Sequence, residues 1–362
     1  MTKQLYILCF LSVTFIILIS SCNLKDDEIP GRRSIRDALG REVLIPDSIR
    51  SAIALRSGTL RLFAYMDLVS GIGYVEGNEK RRSTPYNIAY QDLKELETIG
   101  TGNNYDTELL AASKADLIVT SYMNAGEADK LEKLTGKEVF VLKYGNLDDQ
   151  IGDFYNSLLF LGELFGRKGR ADSLISYINS TIGECSLRTK DLSDSGITAY
   201  VGGVAYSGSH GITSTVPSYP PFRMISVRNA AGSLISNTGI PGRSQGNKFI
   251  DPEQLILWDP DYIFLDSSGS AIWKVDMRKP AISRTLKAIR TKNVYSLLPY
   301  NWYTLNYENI LCNTWFAGKT IHPEAFADIN VEQKCREIYT FFLGSDVYDE
   351  MKILYEPFKK IL

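Results

Sequence analysis

Short apolar runs rich in β-branched residues alternate with stretches of helical apolar spacing along most of this chain. That alternation predicts βα units and parallel sheets, an α/β fold. Strands are expected at 52–55, 71–75, 117–120 and 139–142, with a second set at 198–201, 262–265 and 294–297. Between the sets, Ile151, Tyr155, Leu158, Leu159, Leu161, Leu164 and Phe165 keep helical spacing. One helix is expected over 150–185, about 50 Å long at 1.5 Å per residue. The pattern divides the chain into an N-terminal α/β lobe at 36–149 and a C-terminal α/β lobe with terminal helices at 196–362. Both are expected to be Rossmann-like, with parallel sheets, joined by the single long helix around a cleft.

An internal echo supports two related halves. Asp106-Thr107-Glu108, followed by Ala115-Asp116-Leu117-Ile118, recurs 145 residues later as Asp251-Pro252-Glu253, followed by Pro260-Asp261-Tyr262-Ile263. Each half reads as an acidic helix start, a helix, and an aspartate leading a buried strand. In open parallel sheets, ligands bind beyond the carboxyl ends of the strands. That rule selects loops 56–59, 76–77, 121–123 and 143–145 in the first lobe. In the second it selects 203–222, 266–268 and 299–303.

The ends and composition add a compartment. Lys3 precedes an apolar run, Leu5 to Ile19, too short for a comfortable membrane span, and then Ser20-Ser21-Cys22. This looks like a bacterial lipoprotein signal: residues 1–22 as signal peptide with Cys22 lipidated, then a flexible tether at 23–35. The expected location is outside the cytoplasm, anchored in a lipid bilayer at the periplasmic face or the cell surface. Lys25-Asp26-Asp27-Glu28 reads either as a charged tether or as the acidic export tag of surface lipoproteins. Net charge is −2 and no basic block occurs, which argues against nucleic acid as a partner. Cys185, Cys312 and Cys335 are too scattered for a disulfide framework or a zinc pattern, and Cys335 falls on a helical apolar stripe. No nucleophile elbow or P-loop is present, so no enzymatic activity is expected. A monomer is expected.

Several motifs together resemble the substrate-binding lipoproteins of bacterial ABC importers, in the branch for iron–siderophore complexes, haem and cobalamin, whose two lobes share one long helix. They are Gly58-Thr59-Leu60-Arg61-Leu62, Gly73-Tyr74-Val75-Glu76, Arg82 to Tyr86, and Ile99-Gly100-Thr101-Gly102. In the second half they are Gly202-Gly203-Val204-Ala205-Tyr206, Gly208 to Thr215, Tyr219-Pro220-Pro221-Phe222, Asp259-Pro260-Asp261, and Leu298 to Tyr303 with Asn306 and Glu308. The resemblance implies capture of a metal-chelate small molecule between the lobes, a modest hinge motion, and delivery to an ABC permease. The ligand classes it implies are iron–siderophore complexes, haem and corrinoids, in that order. Two alternatives stay open: a surface scavenger serving an outer-membrane receptor, and a vestigial sensor or scaffold. Many relatives carry a glutamate on the first helix that meets permease arginines. Residues 58–62 contain no acid, so docking on a standard permease would need other acids.

The candidate site residues follow from the loops. His210, one of only two histidines, is followed by Gly211 and lies two residues after Gly208. It is expected either to contact the ligand, as a metal ligand or a hydrogen-bond donor, or only to brace its turn. Tyr206, Tyr219, Phe222, Tyr300, Trp302 and Tyr303, with Tyr86 and Tyr122 opposite, supply aromatic faces for a flat chelator. About half of these are expected to be packing. Ser57, Ser207, Ser214 and Asn301 are polar anchors, and Arg82 is placed to pair a carboxylate, propionate or phosphate. Arg61 reads either as a partner for the same groups or, in preference, as a surface charge or an internal ion pair. No intrinsic cofactor is expected: two distant histidines and scattered cysteines argue against a bare zinc or manganese site, while a tyrosinate and carboxylate site for ferric iron stays open. The metal expected is a chelated one, iron or cobalt, carried as cargo.

Overall fold

A parallel sheet of Ala52–Leu55, Leu117–Ser121 and Val139–Leu142 forms the centre of the first lobe. The computed structural model describes residues 30–101, 104–192, 195–235 and 246–361. These strands are buried along their whole length, as expected when helices cover both faces of a parallel sheet. A second parallel sheet, in the order Arg228–Asn229, Thr198–Gly202, Tyr262–Asp266 and Val294–Leu297, forms the second lobe. The sequence echo is also an echo in space. Asp116 Oδ2 accepts the Ser51 N–H at 3.0 Å, and Asp261 Oδ2 accepts the Thr198 N–H at 2.8 Å. Each aspartate thus ties the start of its own strand to the start of its neighbour.

Three expectations change. Residues 71–75 hold only a short strand, Tyr74–Val75, after a 3-10 turn at Val69–Gly71. The tether expected at 23–35 gives way to structure by Arg32. Arg32–Arg36 pairs antiparallel with Glu42–Pro46, and Ile35, Val43 and Ile45 face the core. The signal peptide, Cys22 and the tether up to residue 29 lie outside the described residues.

The helix expected over 150–185 is two helices, Ile151–Leu164 and Lys168–Thr189. The first ends in a Schellman motif: Gly166 is left-handed at φ 67, and the Arg167 N–H reaches back to the Gly162 carbonyl at 2.8 Å. Glycine at 166 takes this conformation without the penalty a side chain would carry. The two helices then pack on each other, with Gly162 close against Lys168 and Ala171. The element leading into the second lobe is therefore the 22-residue helix alone. Its Arg170 clamps both sides, donating from Nε to the Tyr65 carbonyl at 2.7 Å and from Nη2 to the Phe341 carbonyl at 2.6 Å.

Helices Tyr307–Ile321, Val331–Leu343 and Tyr348–Tyr355 complete the second lobe. The first of them is buried almost throughout and reaches the first lobe, where Tyr307 stacks on Phe154 at 3.8 Å between centroids. Cys185, Cys312 and Cys335 are buried and free, as core residues. Among the described residues, no helix is long and apolar enough to cross a membrane.

Candidate functional site

The strand Tyr262–Asp266 ends in a buried aspartate that sets the next segment in place. Asp266 accepts the Ser268 N–H at 2.8 Å and the Tyr300 N–H at 2.7 Å. Burial pushes its carboxyl up to about 6. From Tyr300 the chain makes a tight hairpin, with Asn301 bridged to Leu305, and its tip enters the first lobe. Arg61, on the helix Thr59–Tyr65, receives it. One guanidinium nitrogen donates to the Leu305 carbonyl at 2.5 Å and to Tyr144 Oη at 2.6 Å. The other donates to Asn306 Oδ1 at 2.7 Å and to the Trp302 carbonyl at 3.3 Å. Arg61 is fully buried and lies 5.1 Å from the centre of the Tyr86 ring. It is internal but forms no ion pair among the described residues; backbone carbonyls, an amide and a phenol take the place of a carboxylate.

Two cavities flank the hairpin. One of about 260 Å³ is lined by Tyr122, Gly145, Asn146, Asp148, Tyr206, Ser218, Asn247, Tyr300, Asn301 and Thr304, among others. The other, about 420 Å³, is lined by Ser57, Asn78, Arg82, Ala205, Ser207, Gly208, Asn301, Trp302, Tyr303 and Thr304. Both take walls from both lobes, and they share Asn301 and Thr304. Their chemistry differs. The smaller contains the Asp148 carboxylate, which is salt-bridged to Arg223 at 2.8 Å. Among the described residues, the larger has no acid in its lining, and its one formal charge is Arg82. Arg82 lies 4.6 Å from the centre of the Tyr303 ring and 5.5 Å from that of Trp302, a cation–π contact across the lobes. No salt bridge to it is found among the described residues.

Behind the larger cavity, Glu76 is buried with Oε1 unpartnered among the described residues, and its Oε2 accepts the Tyr303 hydroxyl at 3.1 Å. Burial first, then the neighbouring Glu79, push the Glu76 carboxyl up to about 7. Glu79 is also buried and raised by desolvation, and it accepts the Tyr86 hydroxyl at 2.5 Å.

Nine of the fourteen expected site residues line the two cavities: Ser57, Arg82, Tyr122, Tyr206, Ser207, Tyr300, Asn301, Trp302 and Tyr303. The other five do not. Tyr86 is core, held by Glu79 and Arg61. Tyr219 and Phe222 pack on each other, and Tyr219 lies behind Tyr300. Ser214 is buried, donating to the Val204 carbonyl at 2.7 Å and accepting from the Asn247 amide at 2.6 Å, so it supports a lining residue from behind. His210 donates from Nε2 to the Tyr206 carbonyl at 2.7 Å and rests edge-on against Phe249. In this position it braces the loop that carries Tyr206 and Ser207. Replacing it with alanine is expected to lower stability by no more than about 1.5 kcal/mol, measured by urea denaturation. A larger loss would show that the loop depends on the imidazole.

Sequence reasoning passed over Asn78, Asp148, Asn247 and Thr304. Asp148 and Thr304 sit within one to three residues of loops the strand-end rule selected, so extending those loops finds them. Asn247 lies well past a strand end and carried no signal. The helix Thr59–Tyr65 is buried on every side, so it offers no outer face to a partner, with or without an acid.

Comparison with known proteins agrees with this architecture. The chain is 22% identical to the molybdate-binding protein MolA of Haemophilus influenzae, over 94% of this chain and 96% of that one. The structure of MolA bound to molybdate superposes with a TM-score of 0.69 at 19% identity, covering 87% of this chain and 98% of that one. The Helicobacter pylori protein CeuE, solved with nickel and histidine, gives 0.62 at 16% identity, covering 88% and 98%. An Fe3+-hydroxamate transport protein of Saccharomonospora viridis gives 0.52 at 15% identity, covering 80% and 99%. Residues 67–300 match the family described as periplasmic binding protein, so with two α/β lobes around a lined cleft the chain belongs to the periplasmic binding protein family.

Proposed function

We propose that this chain captures an anionic metal–chelate complex, with iron as the leading metal, and delivers it to an ABC permease from a lipid anchor at Cys22. The family consists of solute-binding proteins that act outside the cytoplasm and are not enzymes. The finer reading rests on Arg82. It is a guanidinium without a salt-bridge partner among the described residues, in a cavity whose lining contains no acid, beside two aromatic faces. An anionic group seated there would gain charge-assisted hydrogen bonds from Arg82 and hydroxyl or amide donors from Ser57, Asn78 and Ser207. Trp302 and Tyr303 offer π faces to the chelator. The likeness to the Fe3+-hydroxamate transport protein supports iron chelates as the first ligand class to test.

The test is titration calorimetry with a ferric tris-catecholate complex, a ferric hydroxamate, haem, cobalamin and molybdate. For the anionic complex that binds, Arg82→Gln is expected to weaken affinity by about 10- to 100-fold, the worth of a hydrogen bond to a charged group. Unchanged affinity would remove Arg82 from the site. The likeness to MolA favours a second reading, in which a bare oxyanion occupies the same donors; binding of molybdate and of no chelate would select it. Delivery to an outer-membrane receptor instead of a permease predicts that protease added to intact cells degrades the protein.

A further inference from the structure

The tip of the 301–305 hairpin carries two consecutive left-handed residues, Tyr303 at φ 56 and Thr304 at φ 63. Turn positions of this kind ordinarily hold Asn or Gly, and a β-branched threonine is there against its own preference. Such backbone persists only where the surroundings impose it. Arg61 and Tyr144 hold the carbonyls on either side of the tip, and the Asn306 amide donates to the Thr304 carbonyl at 3.4 Å. The Thr304 side chain is keyed into the opposite lobe twice. Its methyl sits over Gly58, where an added Cβ would lie 2.6 Å from it. Its hydroxyl pairs with the Tyr122 hydroxyl at 2.8 Å. Tyr122 is itself left-handed at φ 54 and, unlike Arg61, faces solvent.

Thr304 and Asn301 line both cavities, so the tip is the wall between them. From this geometry we infer that the Tyr122–Thr304 pair is a size-selecting partition. Engaged, it confines a bound species to one chamber. Released, it joins the chambers into one cleft that admits an anionic chelate larger than either. Arg82 then holds the anionic group on one side, and the body of the chelator crosses to Tyr122, Tyr206 and Tyr300 on the other. A small oxyanion needs no release. This selection rests on the anionic-ligand reading above.

Tyr122→Phe deletes the hydroxyl and keeps the ring against Tyr144. In the full chain without ligand, hydrogen exchange at the amides of 302–305 is expected to quicken about tenfold, while the helix 307–321 stays as protected as before. Unchanged exchange at 302–305 would overturn the partition. Stopped-flow binding then compares a ferric tris-catecholate complex, as the bulky probe, with molybdate, as the small one. The ratio of bulky to small on-rates is expected to rise about tenfold in Tyr122→Phe, the effect of removing one hydrogen-bond tie. An unchanged ratio would overturn size selection. If neither probe binds either protein, the anionic-ligand reading fails and the selection with it, while the exchange result separately decides whether Tyr122 holds the tip.

Discussion

Replacing Arg61 with methionine is expected to destabilise the protein by about 3–5 kcal/mol, because four buried acceptors would each lose a charged donor. The volume is similar, so the loss comes from hydrogen bonds rather than from a cavity. Two backbone carbonyls, Leu305 and Trp302, and the Asn306 and Tyr144 oxygens would lose a charged donor in a dry interior. Tyr65 donates to Glu308 in the same seam, and that buried carboxyl would lose the Arg61 charge that favours its ionised form. Lysine in place of Arg61 is expected to recover less than half of the loss, because a point charge cannot meet four acceptors spread over a planar fork. Urea denaturation reads both variants as a lower midpoint with little change in slope. A loss below about 1 kcal/mol for the methionine variant would mean that the hairpin holds its place without Arg61.

The second large effect is on pH dependence, through Glu76. Its carboxyl is pushed up to about 7 in the folded protein, against an ordinary 4.5. The folded state therefore binds this proton more tightly than the unfolded chain does. The stability it confers is fully present below about pH 4.5 and is lost as pH rises through 7. At about 1.4 kcal/mol per unit, the descent is about 3 kcal/mol. Glu76→Gln fixes the neutral state. It is expected to match the wild type near pH 4.5 and to exceed it by about 2–3 kcal/mol at pH 8. Asp266, raised to about 6, adds its own descent in both proteins and cancels in the comparison. Curves for the two proteins that run parallel across this range would show that the Glu76 carboxyl is not raised by folding.

How far the sequence carried can be judged residue by residue. The buried parallel strands were legible because both faces are covered, which leaves continuous β-branched runs such as Val139–Leu142. The paired aspartates were legible because each does the same task at the same point of its half. The helix break at 165–167 was marked by Gly166, but apolar spacing continuous up to Phe165 outweighed one glycine. The 32–46 hairpin was hidden by its charges: Arg32 and Arg36 point away from the face of Ile35, and Arg33, on that face, reaches the Glu163 and Leu164 carbonyls, so that only Ile35, Val43 and Ile45 read as core. In the cleft, loop position was legible and depth was not. Tyr219, Phe222 and Tyr86 have the composition of a ligand wall, and only packing reveals that they lie behind it. The left-handed tip had no signal at all, because tyrosine and threonine are not residues that announce such a turn.

The seam between Arg61 and the 302–306 segment joins residues 241 to 245 apart in sequence. The first lobe therefore cannot finish alone. A fragment ending after Thr189 would contain its own parallel sheet but leave Arg61, Tyr65 and Tyr144 facing water where the second lobe should be. Closing such a long loop comes late in folding, after most local structure has formed. The nascent chain would carry an unfinished, tacky face until its last sixty residues arrive, an interval in which aggregation or a chaperone competes for that face.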